Sequence, residues 1–130
     1  MIYVDTSVVL ATLLSEDRVA PAAFWSQTLV SSRLLAVETW VRMHARGLTQ
    51  SHADQTHGLL SRIGFVEMDS RTLARTLEPF PVPVRTLDAI HLATATYLQV
   101  NGQQVAFATF DERLAKAARR LRFELVEPAA

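Results

Sequence analysis

Four acids, Asp5, Glu38, Asp88 and Asp111, stand in otherwise apolar stretches: IYVD, LLAVE, TLDAI and FATFD. Singly, each has an ordinary structural use. Asp5 and Asp111 suit helix caps, and Glu38 and Asp88 suit first-turn sites near the positive end of a helix dipole, worth about 0.3–1 kcal/mol each. Gathered at a partly desolvated edge, however, several carboxylates repel one another and raise each other's pKa unless a cation lies among them. An oxygen-only set of this kind suits Mg²⁺ or Mn²⁺. Such an ion points to chemistry on phosphates, because it lowers the pKa of a water and neutralises charge developing on phosphoryl oxygens. Thr6 and Ser7 beside Asp5, and Thr109 two residues before Asp111, are placed to orient the carboxylates, with turn or cap chemistry an equal use for Ser7.

The acids converge only if the chain brings distant segments to one edge. MIYVD reads as a short buried strand, and TSVVLATLLS changes to helical spacing. A second helix follows Pro21 through AAFWSQTLV, and a brief strand at about 33 to 36 passes into a helix ended by Gly47, with Glu38 near its start. Residues 49 to 62 form another helix behind a Thr or Ser cap, GFVEM is a strand, and DSRTLARTLEPF is a short helix with an Asp-Ser cap. PFPVPV is a rigid loop. TLDAIHLATATYLQVNG is the strongest helix, with Thr86 as its N-cap and Asn101-Gly102 as its stop. QVAFATFD, DERLAKAARRLR and FELVE complete the chain as strand, helix and strand. Helices alternating with short apolar strands predict an α/β fold whose parallel sheet is covered on both faces, and 130 residues predict a single domain, 1–130. In such a sheet, sites form at the carboxyl ends of the strands. The four acids fall there.

Composition narrows the chemistry further. No cysteine is present, which excludes disulfides, thiolate metal sites and a catalytic cysteine. Thirteen basic and thirteen acidic residues cancel, so attraction to nucleic acid has to be local. Twelve of the thirteen basic residues are Arg, the side chain whose planar fork suits phosphate. The N-terminal apolar run is broken at Asp5 and again at Glu16-Asp17, so neither a signal peptide nor a membrane span is expected, and the cytoplasm is the expected location. No G-x-S-x-G, G-x-G-x-x-G or G-x-x-x-x-G-K-[ST] segment occurs, which excludes the usual serine-hydrolase elbow and phosphate-cradling loops. Asp88 and His91 make a D-x-x-H pair on one helix, but His91 lies among Ile90, Leu92 and Ala93 and reads as structural; His44, His52 and His57 read as surface residues.

The segments YVDTSVVLA, SSRLLAVETWVR, RTLDAIHLATA and AFATFDERLAKAA resemble those of the PIN-domain ribonucleases, in particular the VapC-type toxins of bacterial toxin–antitoxin pairs. The resemblance implies a three-layer α/β/α sandwich with an acidic centre of Asp5, Glu38, Asp88 and Asp111, supported by Thr6 and Thr109. It further implies a Mg²⁺- or Mn²⁺-dependent endoribonuclease acting on tRNA or another structured RNA, a homodimer, and neutralisation by a cognate antitoxin. Glu112, next to Asp111, is expected to face solvent. Arg33, Arg42, Arg46 and Arg85 are the candidates for RNA contact near the acids, and Lys116, Arg119, Arg120 and Arg122 form a second basic run that suits a solvated helix face. Leu13, Leu14, Phe24, Trp25, Leu29 and Trp40 are candidates for an apolar groove that takes an antitoxin helix, core packing being the alternative for each. Two other functions compete. One is a PIN-like module that binds RNA without cutting it. The other is an aspartyl-phosphate protein, which usually needs a lysine near the phosphoryl group, whereas the single lysine here lies in a late helix.

Overall fold

The computed structural model describes all residues, 1–130. Five parallel strands, β1 (Ile2–Val4), β2 (Leu29–Ser32), β3 (Ile63–Val66), β4 (Ala106–Ala108) and β5 (Glu124–Val126), form one sheet in the order β3-β2-β1-β4-β5. The chain therefore starts in the middle, winds outward to β3, then crosses back to β4 on the other side of β1. That reversal creates a switch point between β1 and β4, the place where open parallel sheets leave a crevice.

The residues of β1 explain the layering. Successive side chains of a strand point to opposite faces, so Ile2 and Val4 join one core while Tyr3 joins another. The first core takes α1 (Thr6–Leu13), α2 (Ala22–Trp25), α3 (Arg33–Ala45) and α4 (Ala53–Leu60), through residues such as Val9, Phe24, Leu35 and Leu60. The second takes α5 (Thr86–Val100) and α6 (Glu112–Arg120), through Leu92, Ala95, Leu114 and Ala118 packed on Tyr3 and Phe107. The three-layer α/β/α sandwich expected from the sequence is thus present. No helix is long and apolar enough to cross a membrane.

Several boundaries differ from the sequence expectation. The second strand is 29–32, not 33–36, because Ser32 ends it: its side chain accepts from the Leu34 amide and caps α3. Glu38 consequently lies in the second turn of α3 rather than at its start. The helix after Pro21 stops at Trp25, where the Ser26 hydroxyl turns back to the Ala23 carbonyl, and the residues beyond lead into β2. The helix expected over 49 to 62 is shorter and begins after His52 without a side-chain cap. At DSRT the Asp69 carboxylate accepts from the Arg71 and Thr72 amides, and only a 3-10 turn at Ala74–Leu77 follows. Thr86 is the first residue of α5, not its cap; Arg85 holds the cap position.

The apolar side chains set apart as groove candidates are largely interior. Leu13, Phe24, Trp25 and Leu29 are buried in the first core, because α1, α2 and β2 cover one another there, and only Leu14 and Trp40 remain partly exposed.

Candidate functional site

Each acid reaches the switch point by its own route. Asp5 leaves the end of β1, and its extended backbone continues the pairing with β4 by donating its amide to the Ala108 carbonyl. It occupies the N-cap position of α1, yet its side chain makes no cap bond. Instead its Oδ1 accepts the Ser7 hydroxyl at 2.6 Å, and Ser7 Oγ in turn accepts the Phe110 amide and lies 3.2 Å from Thr109 Oγ1. Ser7 therefore ties the start of α1 to the loop after β4. The sequence offered it only as one of two equal uses.

Asp111 does cap a helix, its Oδ1 accepting from the amides of Arg113 and Leu114 at the start of α6, while Thr109 Oγ1 accepts the Asp111 amide. Asp88 lies in the first turn of α5, and Glu38 projects from α3. Glu38 Oε1 receives two donors, the Thr6 hydroxyl at 2.6 Å and His91 Nε2 at 2.8 Å. All four acids, with Thr6, Ser7 and His91, line one cleft of about 480 Å³. At about 30 Å³ per water, that volume accommodates an ion with roughly six waters and a phosphate group beside it.

The electrostatics of the four differ. Burial pushes the Asp5 carboxyl up to about 6, against the opposing pull of His91 and of the Ser7 and Thr109 hydroxyls. Asp88 is raised by burial and then by the nearby Asp111 charge, with Arg85 acting against both. Burial also acts to raise Glu38, but hydrogen bonds from His91 and Thr6, with the electrostatic pull of His91 and Arg42, bring it below its ordinary value. Arg85 spans two acids, its guanidinium lying 3.6 Å from Asp88 Oδ2 and 3.9 Å from Asp111 Oδ2. A cation is thus already drawn to the acidic edge.

The family model of the PIN domain matches residues 2–120. The chain belongs to the PIN domain family. Among curated proteins it is similar to Ribonuclease VapC47 of Mycobacterium tuberculosis, 29% identical, with 100% of this chain and 98% of that protein covered. It is similar also to Ribonuclease VapC35 of the same species, 29% identical over 98% of this chain and 97% of that protein, and to Ribonuclease VapC46, 29% identical over 98% of each.

This PIN domain fits a hard divalent ion by the nature of its donors. No three of the acids already stand as a closed coordination shell. Mg²⁺ requires none, since it keeps several waters and takes only one or two carboxylates directly. Carboxylate and hydroxyl oxygens, two raised carboxyls and a guanidinium held between two acids together describe a cleft suited to positive charge.

The basic candidates separate. Arg42 and Arg85 line the cleft, whereas Arg33 is paired with Glu67 at 2.8 Å and lies over the Phe65 ring, and Arg46 is at the C-cap of α3, outside the lining. Glu112 is exposed and lies outside the cleft, as do the solvated Arg119 and Arg120. His44 and His57 are exposed and flank the Trp40 ring, and His52 is half-buried. His91 is buried as expected, but it is joined to the acids through Glu38. Glu16 also lines the cleft; it arrives by way of Ser15, whose φ of 51° turns the chain, and nothing in the spacing of the sequence announced it.

Proposed function

We propose that this chain is an endoribonuclease that holds Mg²⁺ or Mn²⁺ among Asp5, Glu38, Asp88 and Asp111 and cuts phosphodiester bonds in RNA. The observation that carries the reading is the convergence of these four acids, from four separate segments, on one cleft at the switch point of a PIN domain. The names of its relatives, all ribonucleases, support the same substrate class. When bound, a divalent ion supplies charge neutralisation at the phosphate and a lowered pKa for water.

The chain's own residues do the remainder. Ser7 and Thr6 fix one oxygen each of Asp5 and Glu38 by short hydrogen bonds, which limits the rotation of both carboxylates. Thr109 holds the backbone at Asp111, so that this carboxylate caps α6 with Oδ1 and turns Oδ2 toward Arg85. Arg42 and Arg85 at the rim offer guanidinium forks to the phosphate backbone on either side of the cut. The reading extends to tRNA or another structured RNA as substrate, to a cognate antitoxin as partner, to a homodimer and to the cytoplasm as its place of action. Neither competing function gains support from the geometry: all four acids line the cleft, and Lys116 is exposed on α6 outside it.

The test is cleavage of end-labelled RNA by the purified protein with Mg²⁺ or Mn²⁺, compared with EDTA. Cutting should require the metal, and Asp5→Asn should abolish it while circular dichroism stays native. An Asp5→Asn protein that cuts at the parental rate with metal present would overturn the mechanism.

A further inference from the structure

Beneath the acids runs a chain of buried hydrogen bonds. The Ser32 amide, at the N-cap of α3, donates to Tyr3 Oη at 3.2 Å; Tyr3 Oη lies 2.7 Å from His91 Nδ1; and His91 Nε2 lies 2.8 Å from Glu38 Oε1. Tyr3 is fully buried and the His91 ring is 2% exposed, so neither has bulk water as a substitute partner. Donor accounting assigns the protons. An amide can only donate, so the phenol oxygen accepts from Ser32, and where Nδ1 carries no hydrogen it receives the phenol's own. A neutral His91 then carries its hydrogen on Nε2, aimed at Glu38.

We propose that Tyr3 and His91 are positioning residues, a buried relay that fixes the Glu38 carboxylate with Oε1 held inward and Oε2 presented to the cleft. Both donors to Glu38, His91 and Thr6, converge on Oε1, and no protein donor reaches Oε2. Glu38 has three side-chain torsions, and without the relay only Thr6 would restrain it. The arrangement also links three segments of the site. Tyr3 is two residues before Asp5 on β1, His91 is three residues after Asp88 on α5, and Ser32 begins the helix that bears Glu38. A displacement of any one is felt by the carboxylates on the other two. Ordinary core packing explains the burial of the two rings, which lie in edge contact with centroids 5.8 Å apart, but it does not require an unbroken run of donors ending on an acid.

The metal-related consequence rests on the reading of the site as a cation-dependent nuclease, and the experiment separates the two. In metal-free protein, Tyr3→Phe should move the ¹⁵N shifts of the His91 ring away from a single Nε2–H tautomer and shift the Glu38 ¹³Cδ resonance. With metal, Mn²⁺ affinity measured by electron paramagnetic resonance should fall roughly tenfold, the scale typical of losing a group that orients a ligand, and kcat should fall with KM little changed. Should Tyr3→Phe fail to fold, His91→Gln, which keeps a donor for Glu38 but loses the link to Tyr3, should give the same losses of affinity and kcat. Unaltered Glu38 and His91 resonances in a folded Tyr3→Phe protein would overturn the relay, and so would unaltered Mn²⁺ affinity in either folded variant. A parental protein that takes up no Mn²⁺ would instead sink the nuclease reading, with the metal-free resonances still deciding the relay.

Discussion

At position 5 the fold and the site make opposing demands. The carboxylate is 6% exposed, and burial lifts its pKa from 3.8 to about 6. The unfolded chain therefore releases this proton near pH 4 and the folded chain near pH 6, so the folded state binds more protons in between. Stability contributed by the neutral form is complete below about pH 4 and is lost as the pH rises through 6. By the usual conversion of pKa shift into free energy, the loss is on the order of 1–3 kcal/mol. Asp5→Asn, which keeps the shape and removes the charge, should unfold at a higher temperature than the parent at pH 8 in EDTA, with the gap closing at pH 4. Differential scanning calorimetry across that range checks it, and an Asn variant less stable than the parent at pH 8 would contradict it.

At the scale of elements, Asp111 holds two offices that substitution can separate. Its Oδ1 caps α6 through two amides, while its charge belongs to the cleft. Asn caps a helix about as well as Asp does, whereas Ala costs about 1 kcal/mol at such a position. Asp111→Asn should thus unfold close to the parental midpoint and lose RNA cleavage, while Asp111→Ala should lose cleavage and about 1 kcal/mol of stability in urea titration. Asp5, by contrast, makes no cap bond, so the cap reading that both aspartates invited from sequence is true of one and not of the other. That distinction was illegible because it depends on where Ser7 and Phe110 meet, beyond the ends of neighbouring strands but 103 residues apart in sequence. Four of the five strands and most helices were legible because apolar runs and Pro or Gly breaks are local signals. The start of α3 was misplaced by four residues because Val30 and Leu34 are both apolar, and only Ser32 between them, bonding as a cap, decides which side is strand. His91 was half legible: its apolar neighbours announced burial, but its tie to Glu38 spans two helices. Tyr3 carried a signal that period-2 alternation makes visible, since it shares a strand face with Asp5.

At the scale of the whole molecule, formal charge cancels while acids crowd one edge, so a bound cation should stabilise the protein as a unit. A ligand that binds only the folded state adds about 2.7 kcal/mol at a hundredfold excess over its dissociation constant. Mn²⁺ or Mg²⁺ should raise the unfolding midpoint, EDTA should reverse the gain, and the pair Asp5→Asn with Asp88→Asn should be insensitive to both. A metal-induced rise that survives in that double variant would place the ion elsewhere. The strand order has a consequence for how the molecule comes into being. β1 lies in the centre, yet β4 beside it and Asp111 beyond are made long after it. At synthesis rates of about 5–20 residues per second, roughly 5–20 seconds separate Asp5 from Asp111. For that interval a nascent chain holds Asp5 without Asp111, and a chain cut short between them by a damaged message would lack part of the proposed acid set.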